Sequence, residues 1–132
     1  KKIKQNTLSD KMILYKKTIL PIIIVSITCS MNNTIACLIN SQGQVLYSLS
    51  CGHLKYRGSK KGSQIASQQV VSHLGKRALG LGYINCSVII KGIGKGRNLI
   101  VKELIKVGLF VVIVIDKTSV AFIGCRIKKV KN

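Results

Sequence analysis

The stretch INCSVIIKGIGKGRNLIVKELIKVGLFVVIVI, residues 84–115, decides the fold. Ile84, Cys86, Val88 and Ile90 recur at period two, the spacing of a strand with one buried face. Gly92-Ile93-Gly94-Lys95-Gly96-Arg97 breaks that pattern. Ile100, Leu104 and Val107 then recur at helical spacing up to Gly108, a glycine suited to a left-handed helix cap. Leu109 to Ile115 is continuously apolar. A strand, a crossover helix and a second strand make a parallel βαβ unit, and a run apolar on both faces is expected in the middle of a sheet covered by helices.

Upstream, Val70, Val71, Leu74, Ala78 and Leu81 mark an earlier helix, with Ser63 as its N-cap and Gly80 and Gly82 at its end. Before it come three strand-like segments. Val25, Ile27 and Cys29 alternate with Ser26, Thr28 and Ser30; Thr34 to Ile39 alternates again after the Met31-Asn32-Asn33 turn; Val45 to Ser50 follows the Ser41-Gln42-Gly43-Gln44 turn. Short turns make these three an antiparallel meander. The predicted fold is therefore α/β, a mixed five-stranded sheet with helices packed on it. It divides into a basic N-terminal arm at residues 1–18, a single α/β domain at 19–116 and a basic C-terminal extension at 117–132.

Charge bounds the partner. The chain carries 22 Lys and Arg against 3 Asp and Glu, a net charge of +19, and such a surface repels itself until a polyanion relieves it. The cations cluster in arms and loops: Lys1 to Lys17, Lys55 to Lys61, Lys91 to Arg97, and Arg126 to Lys131. Nucleic acid is the first candidate and an anionic membrane surface the second, but the early apolar run Ile19 to Cys29 is too short to cross a bilayer. The opening at Lys1 rather than Met reads as loss of the original N-terminus.

Catalysis is not expected, because Asp10, Glu103 and Asp116 are too scattered to share a metal or work as an acid–base pair. Cys29, Cys37, Cys51, Cys86 and Cys125 form an odd set with no Cys-x-x-Cys pair, which reads as reduced thiols, mostly small core residues. No cofactor is implied. The Gly92–Arg97 loop follows a strand and opens a helix, where backbone N–H groups cradle phosphate. Glycine there would serve close phosphate approach, and Lys95 and Arg97 suit a polymer's phosphates better than a dinucleotide. A nucleotide-binding enzyme using this loop and a basic membrane-surface protein are the alternatives.

Several of these segments together resemble the ribosomal protein uS11 (S11) family of the small subunit. They are Asn32-Asn33-Thr34, Gly43-Gln44-Val45, Lys55-Tyr56-Arg57-Gly58-Ser59-Lys60-Lys61-Gly62, Lys91-Gly92-Ile93-Gly94-Lys95-Gly96-Arg97 and Gly124-Cys125-Arg126, in the family's order. The resemblance implies a ribonuclease-H-like fold without catalytic residues, a scaffold on the subunit platform beside the messenger exit region. It assigns small-subunit rRNA and neighbouring ribosomal proteins as partners, with mRNA nearby and no membrane. Carried over by motif, the RNA contacts are Asn32, Asn33, Lys55, Arg57, Lys60, Lys61, Lys91, Gly92, Gly94, Lys95, Gly96, Arg97, Cys125 and Arg126, with Lys128, Lys129 and Lys131 in the tail. Ser119, Ala121 and Ile123 occupy the stretch where the family usually has prolines after the Thr that corresponds to Thr118 and an Asn before Gly-Cys-Arg, and Gln64 stands where it has a proline. That divergence and the abundance of Lys, Ile and Asn point to a mitochondrial ribosome, with a plastid or bacterial cytoplasm as the alternative.

Overall fold

Six of the eight residues of Ile22–Cys29 are β-branched, and their stiff χ1 favours extended backbone, so this segment forms a strand, β1. The computed structural model describes residues 21–126. After β1 come β2 (Thr34–Ile39), β3 (Val45–Ser50), a 3-10 turn (Gly58–Gly62), α1 (Gln64–Gly80), β4 (Asn85–Lys91), a second 3-10 turn (Arg97–Leu99), α2 (Ile100–Val107) and β5 (Phe110–Asp116). One sheet holds all five strands in the order β3-β2-β1-β4-β5. The first three pair antiparallel, while β1–β4 and β4–β5 are parallel. This is the mixed five-stranded α/β fold predicted, in a ribonuclease-H-like order. The proposed arm at 1–18 and the tail residues Lys128, Lys129 and Lys131 lie outside the described residues.

Register explains the core. Ile23, Val25 and Ile27 of β1 lie beside Cys86, Val88 and Ile90 of β4, and Val25, Ile27 and Cys29 lie opposite Leu38, Ala36 and Thr34 of β2. Side chains alternate along a strand, so these all share one face, and all are buried. Onto it α1 lays Ala66, Val70, Val71, Leu74 and Ala78, and α2 adds Ile100 and Leu104. The two helices also pack together, with Gly75 of α1 close to Val107 and Leu109. Ser63 caps α1 by accepting the Ala66 N–H at 3.2 Å, and Gly108 ends α2 at φ 108°, both as expected. In β2 the small residues Thr34 and Ala36 face α1, leaving Ile35 outward; Thr34 Oγ1 meets Ser67 Oγ of α1 at 2.8 Å.

One expectation fails. Leu109 to Ile115 does not run through the middle of the sheet: β5 is its edge, and Val112, Ile113, Val114 and Ile115 are exposed. As an edge strand β5 has a neighbour on one side only, and the eight-residue helix α2 covers little of it: Leu109 just before the strand is buried and Val111 half-buried. The strand also carries a bulge at Val112, since Cys86 pairs with Val111 but Ser87 with Ile113.

Candidate nucleic-acid interface

β1 and β4 are parallel and end together, Thr28 level with Lys91, and Ser50 at the end of β3 pairs with Ile35 near the start of β2. The segments that follow β1, β3 and β4 therefore gather at one end of the sheet. After β1, Ser30 and Asn33 close a turn on themselves. Ser30 N–H and Oγ–H both donate to the Asn33 carbonyl at 2.9 Å, and Asn33 Oδ1 accepts the Thr34 N–H at 3.0 Å. The Asn33 carboxamide oxygen thus serves the turn, while Asn32 is exposed at its tip.

After β3, Cys51 N–H hangs the next turn on the Thr34 carbonyl at 3.1 Å, and the turn carries Lys55 at φ 64°. A lysine is rare in this left-handed region, because Cβ crowds the following carbonyl. Lys55, Arg57 and Lys60 are exposed and Lys61 half-buried. Lys55→Gly is expected to raise stability by about 0.5–1 kcal/mol while weakening RNA binding. Paired thermal melts and RNA titrations check this, and a less stable, equally tight variant would reject a strained cation held for binding.

The Gly92–Arg97 loop folds inward. Gly94 N–H donates to the Cys29 carbonyl at 2.9 Å. A Cβ on Gly94 would strike the Ser30 carbonyl, one on Gly96 the Ser67 side chain, and one on Gly62 the Met31 carbonyl. Gly94 and Gly96 are buried. Glycine is required here so that the loops of β1, β4 and α1 can touch one another, with Lys91 and Lys95 left exposed on the outside.

Arg97 behaves differently from the lysines. Its Nη1 donates to the Gly92 carbonyl at 2.6 Å and to Thr118 Oγ1 at 3.0 Å, and its Nη2 donates to Asp116 Oδ2. Thr118 Oγ1 also accepts the Gly92 N–H at 3.2 Å and donates to Asp116 Oδ1 at 2.6 Å. The Thr118 hydroxyl, the Arg97 guanidinium and the Thr118 N–H together lower the Asp116 pKa from 3.8 to about 2. A lowered carboxylate pKa stabilises the arrangement above pH 3.8, and that contribution fades as pH falls toward 2. The carboxyl-carbon NMR shift of Asp116 is expected to titrate with a midpoint near 2. A midpoint at the unperturbed value would show that the cluster does not form.

Beyond Thr118 the chain is exposed, with Phe122 at 97%, and Cys125 and Arg126 lie in this segment. Among the described residues both acids are ion-paired, Asp116 with Arg97 and Glu103 with Lys106. Also among them, no group of three His, Cys, Asp or Glu could hold a metal, and no helix is long and apolar enough to cross a membrane. Burial raises the Cys29 thiol pKa and pushes Cys86 up to about 11, so these core thiols stay protonated.

Residues 23–132 match the family model described as Ribosomal protein S11. The chain belongs to the ribosomal protein S11 family. Proteins named small ribosomal subunit protein uS11 are similar along most of its length. The one from Gloeobacter violaceus is 35% identical over 76% of this chain and 77% of its own. That from Chlamydia felis is 35% identical over 80% of both chains, and that from Endomicrobium trichonymphae 32% over 80% and 81%. In this S11-family chain the structure brings the Asn32, Lys55–Lys61 and Gly92–Arg97 segments to one end of the sheet. Sequence reasoning missed the roles of Asp116 and Thr118. Their signal was an Asp-x-Thr at a strand end, a local turn former, in a chain where any carboxylate is scarce.

Proposed function

We propose that this chain is a structural component of the small ribosomal subunit and binds its rRNA through the loop end of the sheet. One observation carries the reading: segments far apart in sequence converge there with Lys55, Arg57, Lys60, Lys61, Lys91 and Lys95, while Asp116, one of the two acids among the described residues, is held by Arg97. Exposed lysines on a self-packed scaffold suit phosphates in fixed positions. The family membership and the names of the relatives support the ribosomal setting, at the platform near the messenger exit with neighbouring subunit proteins. The chain acts there as a scaffold and not as an enzyme. Its composition favours a mitochondrial ribosome, which is tested by whether the tagged chain sediments with small subunits from the mitochondrial fraction.

Binding of the full chain to a small-subunit rRNA transcript is expected to weaken with salt. If those six side chains each neutralise a phosphate, the log–log slope is about −4 to −5. Raising salt from about 50 to 200 mM then costs roughly 250- to 1000-fold in affinity. A slope near zero overturns the reading.

A further inference from the structure

We infer that Arg97 is a positioning residue, fastening the Gly92–Arg97 loop to the start of the C-terminal tail through Thr118 and Asp116, and that it is not itself a phosphate ligand. The inference rests on the RNA-binding reading above and assigns this side chain a different task within it.

Hydrogen-bond inventory makes the case. A guanidinium has five N–H donors, and three of Arg97's are spent on the Gly92 carbonyl, Thr118 Oγ1 and Asp116 Oδ2. A threonine hydroxyl has one donor and two acceptor sites. Thr118 uses all of them, accepting from Gly92 N–H and Arg97 Nη1 and donating to Asp116 Oδ1. Asp116 Oδ1 takes the Thr118 N–H as well, at 3.0 Å. The Arg97 side chain is only 27% exposed, and its charge is matched by the Asp116 carboxylate. Both backbone polar groups of Gly92, its N–H and its C=O, are thereby tied to residues 118 and 97 respectively. Directly upstream, Lys117 N–H is fixed by the Ile90 carbonyl at 2.9 Å. The cluster therefore fixes where Lys91 and Lys95 stand relative to Lys117 and the tail that leads to Arg126. A lysine at 97 could not serve, since an ammonium lacks the planar fork that spans carbonyl, hydroxyl and carboxylate at once.

The test uses the full chain and a small-subunit rRNA transcript, reading affinity across salt. Lys95→Gln, which removes a phosphate contact, is expected to lower the slope by about 0.7–0.9. The charge-neutral pair Arg97→Gln with Asp116→Asn is expected to lose about 5- to 10-fold in affinity with its slope unchanged. Asp116→Asn alone deletes a negative charge yet is expected to weaken binding, Arg97→Lys is expected not to restore it, and Thr118→Ser is expected to bind as wild type. In the free chain, the Gly92 amide is expected to exchange with solvent more slowly in wild type than in Thr118→Val, and equal exchange would show that the clamp is absent. A slope reduction in the double variant matching that of Lys95→Gln, or tighter binding by Asp116→Asn, overturns the inference and leaves the RNA-binding reading intact. Absence of binding by the wild-type chain overturns that reading and this inference together.

Discussion

Gly94→Val is expected to destabilise the fold by about 3 kcal/mol or more and to abolish rRNA binding, although every positive charge remains. The new Cβ would meet the Ser30 carbonyl and the Cys29 backbone, which are main-chain atoms at the end of a central strand and cannot swing aside. The Gly94 N–H to Cys29 carbonyl bond is lost with the displacement. Gly94→Ala is expected to fail in the same way, because the collision begins at Cβ. Gly80 is the internal control: nothing lies within 4 Å of a Cβ there. Gly80→Ala, in the last turn of α1, is expected to raise stability by roughly 0.5 kcal/mol. Chemical denaturation of the three variants decides the matter; a Gly94→Val protein as stable as wild type would show that the loops do not pack as described.

The second large effect belongs to the core. Leu74 is fully buried on α1, on the face that covers the sheet. Leu74→Ala leaves a cavity among Val, Ile and Leu side chains and is expected to cost about 3 kcal/mol, enough to lower Tm by roughly 10 °C or more. Ile65, on the same helix but 65% exposed, is expected to change stability by less than about 0.5 kcal/mol when replaced by alanine. Comparable losses at the two positions would contradict the side of α1 that faces the sheet.

Much of this fold is legible in the amino-acid sequence, wherever local chemistry and tertiary packing agree. Val25, Ile27 and Cys29 alternate because one face of β1 is buried, Ser63 stands where a helix needs an acceptor, and Gly108 where it needs a positive φ. Legibility ends where the deciding partner is distant in sequence. A continuous apolar run such as Leu109 to Ile115 carries no mark of its neighbours, so nothing in it reveals the edge position of β5 or the bulge at Val112. The glycine pattern of the Gly92–Arg97 loop reads in sequence as room for a phosphate, whereas the room at Gly94 and Gly96 is taken up by this chain's own Ser30 and Ser67. Arg97 reads in sequence as one more cation among the lysines, because charge is visible there, whereas its commitment to Asp116 and Thr118, about 20 residues onward, is a property of two strands ending side by side.

The position of β5 also bears on the chain's life before assembly. One long side of this strand pairs with β4, and the other, among the described residues, pairs with no strand, while the sequence from Phe110 to Ile115 carries no charge to repel a visitor. Such a border is a ready template for a second copy of itself. The net charge of +19 opposes that encounter at low ionic strength, but salt screens it. Among the described residues, the tendency of unassembled copies to associate is therefore set, beyond the stability of the fold itself, by a balance between long-range repulsion and the attraction of this edge.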